Sequence, residues 1–332
     1  MADMNGKVVL VTGANTGIGK EAALALAKMG ATIVIAARNR AKGERAADEI
    51  ARKAGLPPAR RPELIDLDLA SFASIRAAAA SFLARHDKSA ADPADSGKRS
   101  AADPADSGKR SAADPADSGA KLHVLVNNAG LVLETRTTTV EGFETTFGVN
   151  HLGHFLFTQL LLGALKKAAK EDGEARVVNV SSDAHRWARR GLDWDDLQSE
   201  KKYASFDVYA KSKLANIYFT RALARRLEGT GVTTNALHPG VVATEFASSD
   251  DVGFFTSFGF KIVRPFLKTP AQGAATTVHL ASAPELRGVS GKYFADSKPK
   301  HPMRIAQDDA LAERLWAISE QLVRSAETSA AA

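Results

Sequence analysis

The chain has 332 residues, 45% of them hydrophobic, a formal net charge of +6 and no cysteine. That length can bury a large core as one α/β domain or two smaller ones, and the missing thiols exclude disulfides, a thiolate metal site and a catalytic cysteine, as suits a reducing cytoplasm. Lys and Arg are scattered apart from "HRWARR" at His185–Arg190, which reads as a solvated face and not as a nucleic-acid site.

The first predicted strand, Lys7–Val11, leaves no room before it for a signal peptide or an anchor. It runs into "TGANTGIGK", Thr12–Lys20, and then into a helix over Lys20–Met29. Glycines there permit positive φ and let backbone N–H groups approach a diphosphate, which a helix N-terminus favours electrostatically. The place of this turn, between first strand and first helix, marks a dinucleotide site, although the spacing of Gly13, Gly17 and Gly19 differs from the three-glycine fingerprint of long-chain dehydrogenases. The second strand, Thr32–Ala37, is followed by Arg38 where an NAD site would carry a carboxylate. An arginine there can pair with a 2′-phosphate, so NADP(H) is expected over NAD(H).

Helical patterns follow at Ala41–Ala54 and Ser71–Arg85, and then the rhythm breaks. "SAADPADSGKR" at Ser89–Arg99 recurs at Ser100–Arg110 and, shortened, at Ser111–Gly119. A Pro and a Gly in each unit and almost no large apolar residue exclude a coiled coil, so residues 89–119 read as a low-complexity insert, a disordered surface loop. Strands are predicted at His123–Asn128 and Arg176–Val180, with helices at Leu152–Lys170 and Tyr209–Leu227. The longest apolar run, Phe155–Leu165, is too short to span a bilayer, and the protein is read as soluble. The strands are apolar throughout, as strands buried on both faces should be, and they alternate with helices. The expected fold is one doubly wound Rossmann-type α/β domain over residues 1–332, with a parallel sheet of about seven strands flanked by helices and a disordered tail at 325–332.

In "FDVYAKSKLAN", Phe206–Asn216, a tyrosine is followed by lysines two and four residues later. On a helix only the residue four away shares its face, so Lys213 can stand beside Tyr209 and Lys211 cannot. A phenol that works as acid and base near neutrality must lose about 3 units from a pKa near 10, roughly 4 kcal/mol in favour of the phenolate. An adjacent ammonium supplies part of that.

"TGANTGIG", "DL" at Asp68–Leu69, "NNAG" at Asn127–Gly130, Asn150, "NVSS" at Asn179–Ser182, "YAKSK" and "HPG" at His238–Gly240 together resemble the ordered motifs of the short-chain dehydrogenase/reductase family. The resemblance covers Gly6 to about Phe294 apart from the repeat. "GVNHLGHFLFTQLLL", "DLQSEKKY" and "SGKYF" resemble most the retinol dehydrogenase-like branch. The resemblance implies catalytic roles for Asn150, Ser182, Tyr209 and Lys213. Asn150 would anchor a water that relays protons to Lys213, which would also hold the nicotinamide ribose. Ser182, taken over Ser181, would bind the substrate oxygen together with Tyr209. Cofactor contacts are implied for Gly13, Asn15, Thr16, Gly17, Ile18, Gly19, Arg38, Asp68, Leu69, Asn127, Ala129, Gly130, Pro239, Gly240, Val242 and Thr244, besides Tyr209 and Lys213. Asp68 would receive the adenine amino group or simply end a strand.

The substrate is expected to meet Trp187 and, on a phenylalanine-rich lid at 245–268, Phe246. Aromatic residues over a cofactor exclude water, although those at 254–267 could instead form a membrane-surface or homodimer contact. His151 and His154, three apart, lack partners for a metal and read as structural, and "NVS" at Asn179 ends a buried strand and is not a glycosylation site. The expected activity is NADP(H)-dependent hydride transfer to or from a small apolar aldehyde, ketone or alcohol. The alternatives are reduction of a ring C=C bond, as in the light-dependent protochlorophyllide reductases, and a non-catalytic NADPH-binding scaffold.

Overall fold

The structure, a computed structural model, describes residues 2–87, 119–240 and 268–331. Its strands are β1 (Val8–Thr12), β2 (Thr32–Ala37), β3 (Glu63–Asp66), β4 (Val124–Asn127), β5 (Ala175–Val180), β6 (Val232–His238), β7 (Tyr293–Ala295) and β8 (Lys298–Lys300). They form one sheet in the order β3-β2-β1-β4-β5-β6-β7-β8. The first seven are parallel, and β8, beyond the seven expected, turns back antiparallel on β7. Winding reverses between β1 and β4, which opens a crevice at their carboxyl ends, the place where such sheets bind ligands.

Both faces are covered. Val9 and Val11 of β1 join one apolar core and Leu10 the other, which is why the strand reads as an unbroken hydrophobic run. Helices α1 (Gly17–Lys28) and α2 (Arg40–Ala54) lie on the first side. On the second lie α3 (Phe72–His86), α4 (Gly153–Asp172), which continues a π-wound turn at Gly148–Leu152, and α5 (Ser205–Arg226). Helix α6 (Pro270–Ser282) returns to the first side behind a Thr269 capping box, and α7 (Asp309–Ala331) packs on α5. No described helix is long and apolar enough to cross a membrane.

Two boundaries depart furthest from expectation. Helix α5 begins at Ser205, one turn before Tyr209, because Asp207 favours a first turn and pairs with Lys211 at 2.8 Å. Residues 325–331, expected as a disordered tail, continue α7. Their Ala and Glu are good helix formers, Ala326 packs against the core and Glu327 pairs with Arg76 of α3. The repeat falls in the α3–β4 connection and, Gly119 apart, lies outside the described residues.

Helix α7 is held on α5 by Trp316. Its ring stacks on Phe219 at 6.0 Å, meets Phe155 edge-on at 4.9 Å and lies 4.0 Å from the Arg226 guanidinium. With 4% of its surface exposed, Trp316→Ala is expected to cost about 3–5 kcal/mol of stability, measurable by denaturant unfolding. A loss below about 1 kcal/mol would show that α7 is not integral to the fold.

Candidate active site

At the carboxyl end of β1 the chain must turn sharply beneath β4. Gly13 does this at φ +67°, and a Cβ there would come within 2.9 Å of Ala129 Cα. At Gly19 a Cβ would stand 2.4 Å from Asn128 Nδ2. The Asn128 amide in turn donates to Thr12 O at 2.8 Å, locking the turn to β4. Asn15, Thr16, Gly17 and Ile18 are half-buried on the crevice rim. The Thr16 side chain makes no capping bond among the described residues and the first turn of α1 holds no acid, so its positive dipole end favours an anion. Backbone that no side chain could approach, beside an uncapped helix start, fits a dinucleotide diphosphate.

Arg38 follows β2, is exposed and forms no ion pair among the described residues, whereas its neighbour Arg40 is taken by Asp66 at 2.7 Å. Asp68 is half-buried, with Oδ1 accepting from Ala70 N at 3.0 Å. Two expected contacts turn away at the side-chain level. Leu69 is buried in the core against Gly153, and the Asn127 amide donates to Thr158 Oγ1 at 2.9 Å and Asn179 Oδ1 at 2.8 Å behind the sheet. Strand alternation explains the second: Asn127 shares the Leu125 face of β4, so only its backbone is left for the crevice. Ala129 and Gly130 are half-buried beside the crevice; Pro239 is buried, and Gly240 adopts φ +92°. Val242, Thr244, Phe246 and the lid at 245–268, except Lys268, lie outside the described residues, as does 254–267.

Beyond β5 the two serines divide their work. Ser181 Oγ donates to Lys213 O at 2.7 Å and is buried, while Ser182 faces the cleft, accepts from Ala184 N at 3.1 Å and hydrogen-bonds the Tyr209 phenol. Lys213 Nζ lies 5.5 Å from the centre of the Tyr209 ring and donates to Val180 O at 3.3 Å. Helical register therefore brings Lys213 to the tyrosine and turns Lys211 to Asp207. A Cβ on Gly130 would stand 3.2 Å from both Lys213 Nζ and Asn150 Oδ1, which places these groups at the crevice floor. The Asn150 amide is fully engaged, accepting from Leu131 N and donating to Leu131 O and Ser212 Oγ, each at 2.9 Å.

The expected depression of the phenol by the lysine is not found. Burial pushes Tyr209 up to about 12, against a smaller lowering from the Ser182 hydrogen bond, and burial alone pushes Lys213 down to about 8. Desolvation penalises the charged form of each group, and here it outweighs their proximity.

Trp187 is 66% exposed on the turn after Ser182. Between it and Tyr209 stands Phe206, 5.8 Å from the Trp187 ring and 6.3 Å from that of Tyr209, a residue that sequence reading did not single out. Thr12, Asn128, Ser212 and His154 were also not singled out for the site; position next to named motifs was their only signal. His151 bonds Ser319 at 2.8 Å and His154 reaches Thr12 at 3.0 Å, and no cluster among the described residues could hold a metal.

Lys213 binds its proton less tightly in the folded state than in the unfolded chain, where the value is 10.5. Stability should therefore rise with pH between about 8 and 10.5. Lys213→Met removes that dependence. The melting temperature of the variant minus that of the parent is expected to be greatest near neutral pH and to shrink towards pH ~10.5; a difference independent of pH would show that burial does not penalise the ammonium.

A family model described as short chain dehydrogenase matches residues 7–89, and one described as Enoyl-(Acyl carrier protein) reductase matches 103–295. Retinol dehydrogenase 12 of Homo sapiens is 43% identical over 319 residues, 96% of this chain and 86% of that protein. A crystal structure from Mycobacterium paratuberculosis is 29% identical with a TM-score of 0.68, covering 98% of this chain and 96% of its own. Lower identities, 23% and 24%, accompany the shared fold of a Brucella melitensis 3-ketoacyl-(acyl-carrier-protein) reductase solved with NADH and a Shigella flexneri protein solved with NADP. Their TM-scores are 0.60 and 0.61, over 87% and 89% of this chain and 96% and 98% of theirs. Identity sustained at 43% over 96% of the chain is more than a common sheet topology requires, and the chain belongs to the short-chain dehydrogenases, oxidoreductases that act on CH–OH and C=O groups with a nicotinamide cofactor.

Proposed function

We propose that the protein is an NADP(H)-dependent reductase of apolar aldehydes and ketones, retinal among them, and a dehydrogenase of the matching alcohols. The convergence of Ser182, Tyr209 and Lys213 beside the glycine turn carries this reading. The glycine turn and the α1 N-terminus would hold the diphosphate, and Lys213 the nicotinamide ribose. When bound, the dihydronicotinamide would supply the hydride to the carbonyl carbon. Ser182 holds the carbonyl oxygen, and Tyr209 gives that oxygen its proton. A phenol held up to about 12 is fully protonated at neutral pH, and an alkoxide is more basic still, so the transfer runs downhill in the reductive direction. Lys213 then stabilises the phenolate and, with Asn150, takes part in its reprotonation.

Trp187, Phe206 and the Tyr209 ring line one apolar approach to the hydroxyl, which suits a hydrophobic substrate, as do relatives named retinol dehydrogenases. The exposed Arg38 guanidinium, which has no ion pair among the described residues, favours the 2′-phosphate of NADP(H). A cytoplasmic place of action is part of the same proposal, and the cysteine-free chain is compatible with it.

NADPH consumption across a panel of medium-chain aldehydes, retinal, ketones and steroids tests the reading. Lys213→Met is expected to lower turnover roughly 100- to 10,000-fold while Lys211→Met costs little. Equal losses at the two lysines would remove Lys213 from the chemistry, and NADPH binding without turnover of any carbonyl would favour a scaffold.

Arg38→Asp replaces a phosphate partner with a ribose-hydroxyl acceptor and adds repulsion. A charge-assisted contact is worth roughly 1.5–3 kcal/mol, so the ratio of kcat/KM for NADPH to that for NADH should fall about tenfold or more. An unchanged ratio would place Arg38 outside the site.

A further inference from the structure

Behind the site runs a buried chain of hydrogen bonds whose directions can all be assigned. Thr12 Oγ1, at the end of β1, accepts from Asn128 N at 2.9 Å and Ala129 N at 3.0 Å. It also stands 3.0 Å from His154 Nε2, and Val126 O is more distant at 3.4 Å. His154 Nδ1 lies 3.2 Å from Asn150 O. A carbonyl can only accept, so Nδ1 carries the hydrogen. Burial pushes the imidazole down to about 4, so the ring is neutral and its bare Nε2 accepts from the Thr12 hydroxyl. The Asn150 amide then donates to Ser212 Oγ at 2.9 Å, and Ser212 donates to Tyr209 O at 2.7 Å. Thr12, His154, Asn150 and Ser212 are all at or below 3% exposure.

We propose that His154 is a positioning residue that couples the cofactor turn to the Asn150 turn and, through Ser212, to the helix that carries Tyr209. Neither end of this chain can shift without breaking a bond between buried partners. The π-wound turn makes such a tie useful. Its carbonyls sit off the regular α-helical ladder, and the imidazole fixes the one at Asn150. Thr12 is fixed by the same ring while it holds the backbone of Asn128 and Ala129, the strand end from which Gly130 faces Lys213. His154 touches neither the phenol nor the ammonium, so it acts through the placement of groups that do. This inference rests on reading Tyr209 and Lys213 as the catalytic pair.

Two measurements test it separately. Nitrogen-15 NMR of the imidazoles in the full-length parent protein needs no substrate: His154 is expected as the Nδ1–H tautomer with no titration across neutral pH, and an Nε2–H tautomer or an ordinary titration near neutrality would overturn the chain of bonds. Kinetics with NADPH and a medium-chain aldehyde then read the coupling. His154→Phe is expected to lower kcat roughly 10- to 100-fold in the parent, as a misplaced catalytic group does, but less than about threefold in a Thr12→Val background where the tie is already broken. Thr12→Ser, which keeps the hydroxyl, should retain near-parent kcat. The same fold-loss in both backgrounds, or a folded His154→Phe with unchanged kcat, would overturn the proposal. If the phenylalanine variant does not fold, His154→Ala replaces it in the same two backgrounds, with the larger loss again expected in the parent and an equal loss in both again overturning the proposal.

Discussion

A cation carried into the interior on Lys213 is the constraint around which the site is built. An ammonium at 3% exposure must find acceptors or lose its charge, and among the described residues it donates to the carbonyl of Val180 at the last residue of β5. That contact demands that α5 lie close over the end of the sheet. Ser181 pins the Lys213 backbone from just beyond the same strand, the Asn216 amide reaches the same Val180 carbonyl at 3.2 Å, and glycine at 130 leaves room for the ammonium head. Burial leaves the ammonium easier to deprotonate and the neighbouring phenol harder, so both groups are most easily ionised when a compensating charge is present.

The same demand for partnered polar groups runs through the middle of the sheet. Asn127 donates to Asn179, and Asn179 donates to Thr220 on α5 at 2.9 Å and to Thr234 on β6 at 3.1 Å. These side chains stitch β4, β5 and β6 to the helix that bears Tyr209 and Lys213. A one-residue slip of any of these strands would turn a ladder side chain to the opposite face, so the ladder fixes register where an all-apolar core would tolerate error. Helix α7 closes the outer side of α5, and there the work is done by aromatic packing around Trp316.

Legibility in the sequence follows the range of the physics involved. Strand cores such as Thr32–Ala37 are local in origin, because burial on both faces makes every residue apolar, and the observed bounds coincide with the expected ones. The choice of Lys213 over Lys211 needs only the pitch of a helix, and the ion pair of Lys211 with Asp207 obeys the same rule. Asn127 shows the limit: it stands in a recognisable motif, yet the alternation that sends its amide behind the sheet depends on the strand's exact register. The continuation of α7 past residue 325 was hidden because its anchor, Arg76, lies on α3 far away in sequence.

By itself the sequence determined the doubly wound architecture, the place of the glycine turn, and which tyrosine and lysine share a helical face, because each depends on neighbours within a few residues. Only the tertiary structure decided the ionisation of that pair and the partners of His154. The pKa values of Tyr209 and Lys213 are set by how much water the surrounding protein removes, and that depends on four segments of chain meeting at one end of a sheet. His154 reads in the sequence as one of two histidines on a helix. Its tie to Thr12 exists because folding brings β1 against the start of α4, and separation along the chain carries no trace of that meeting.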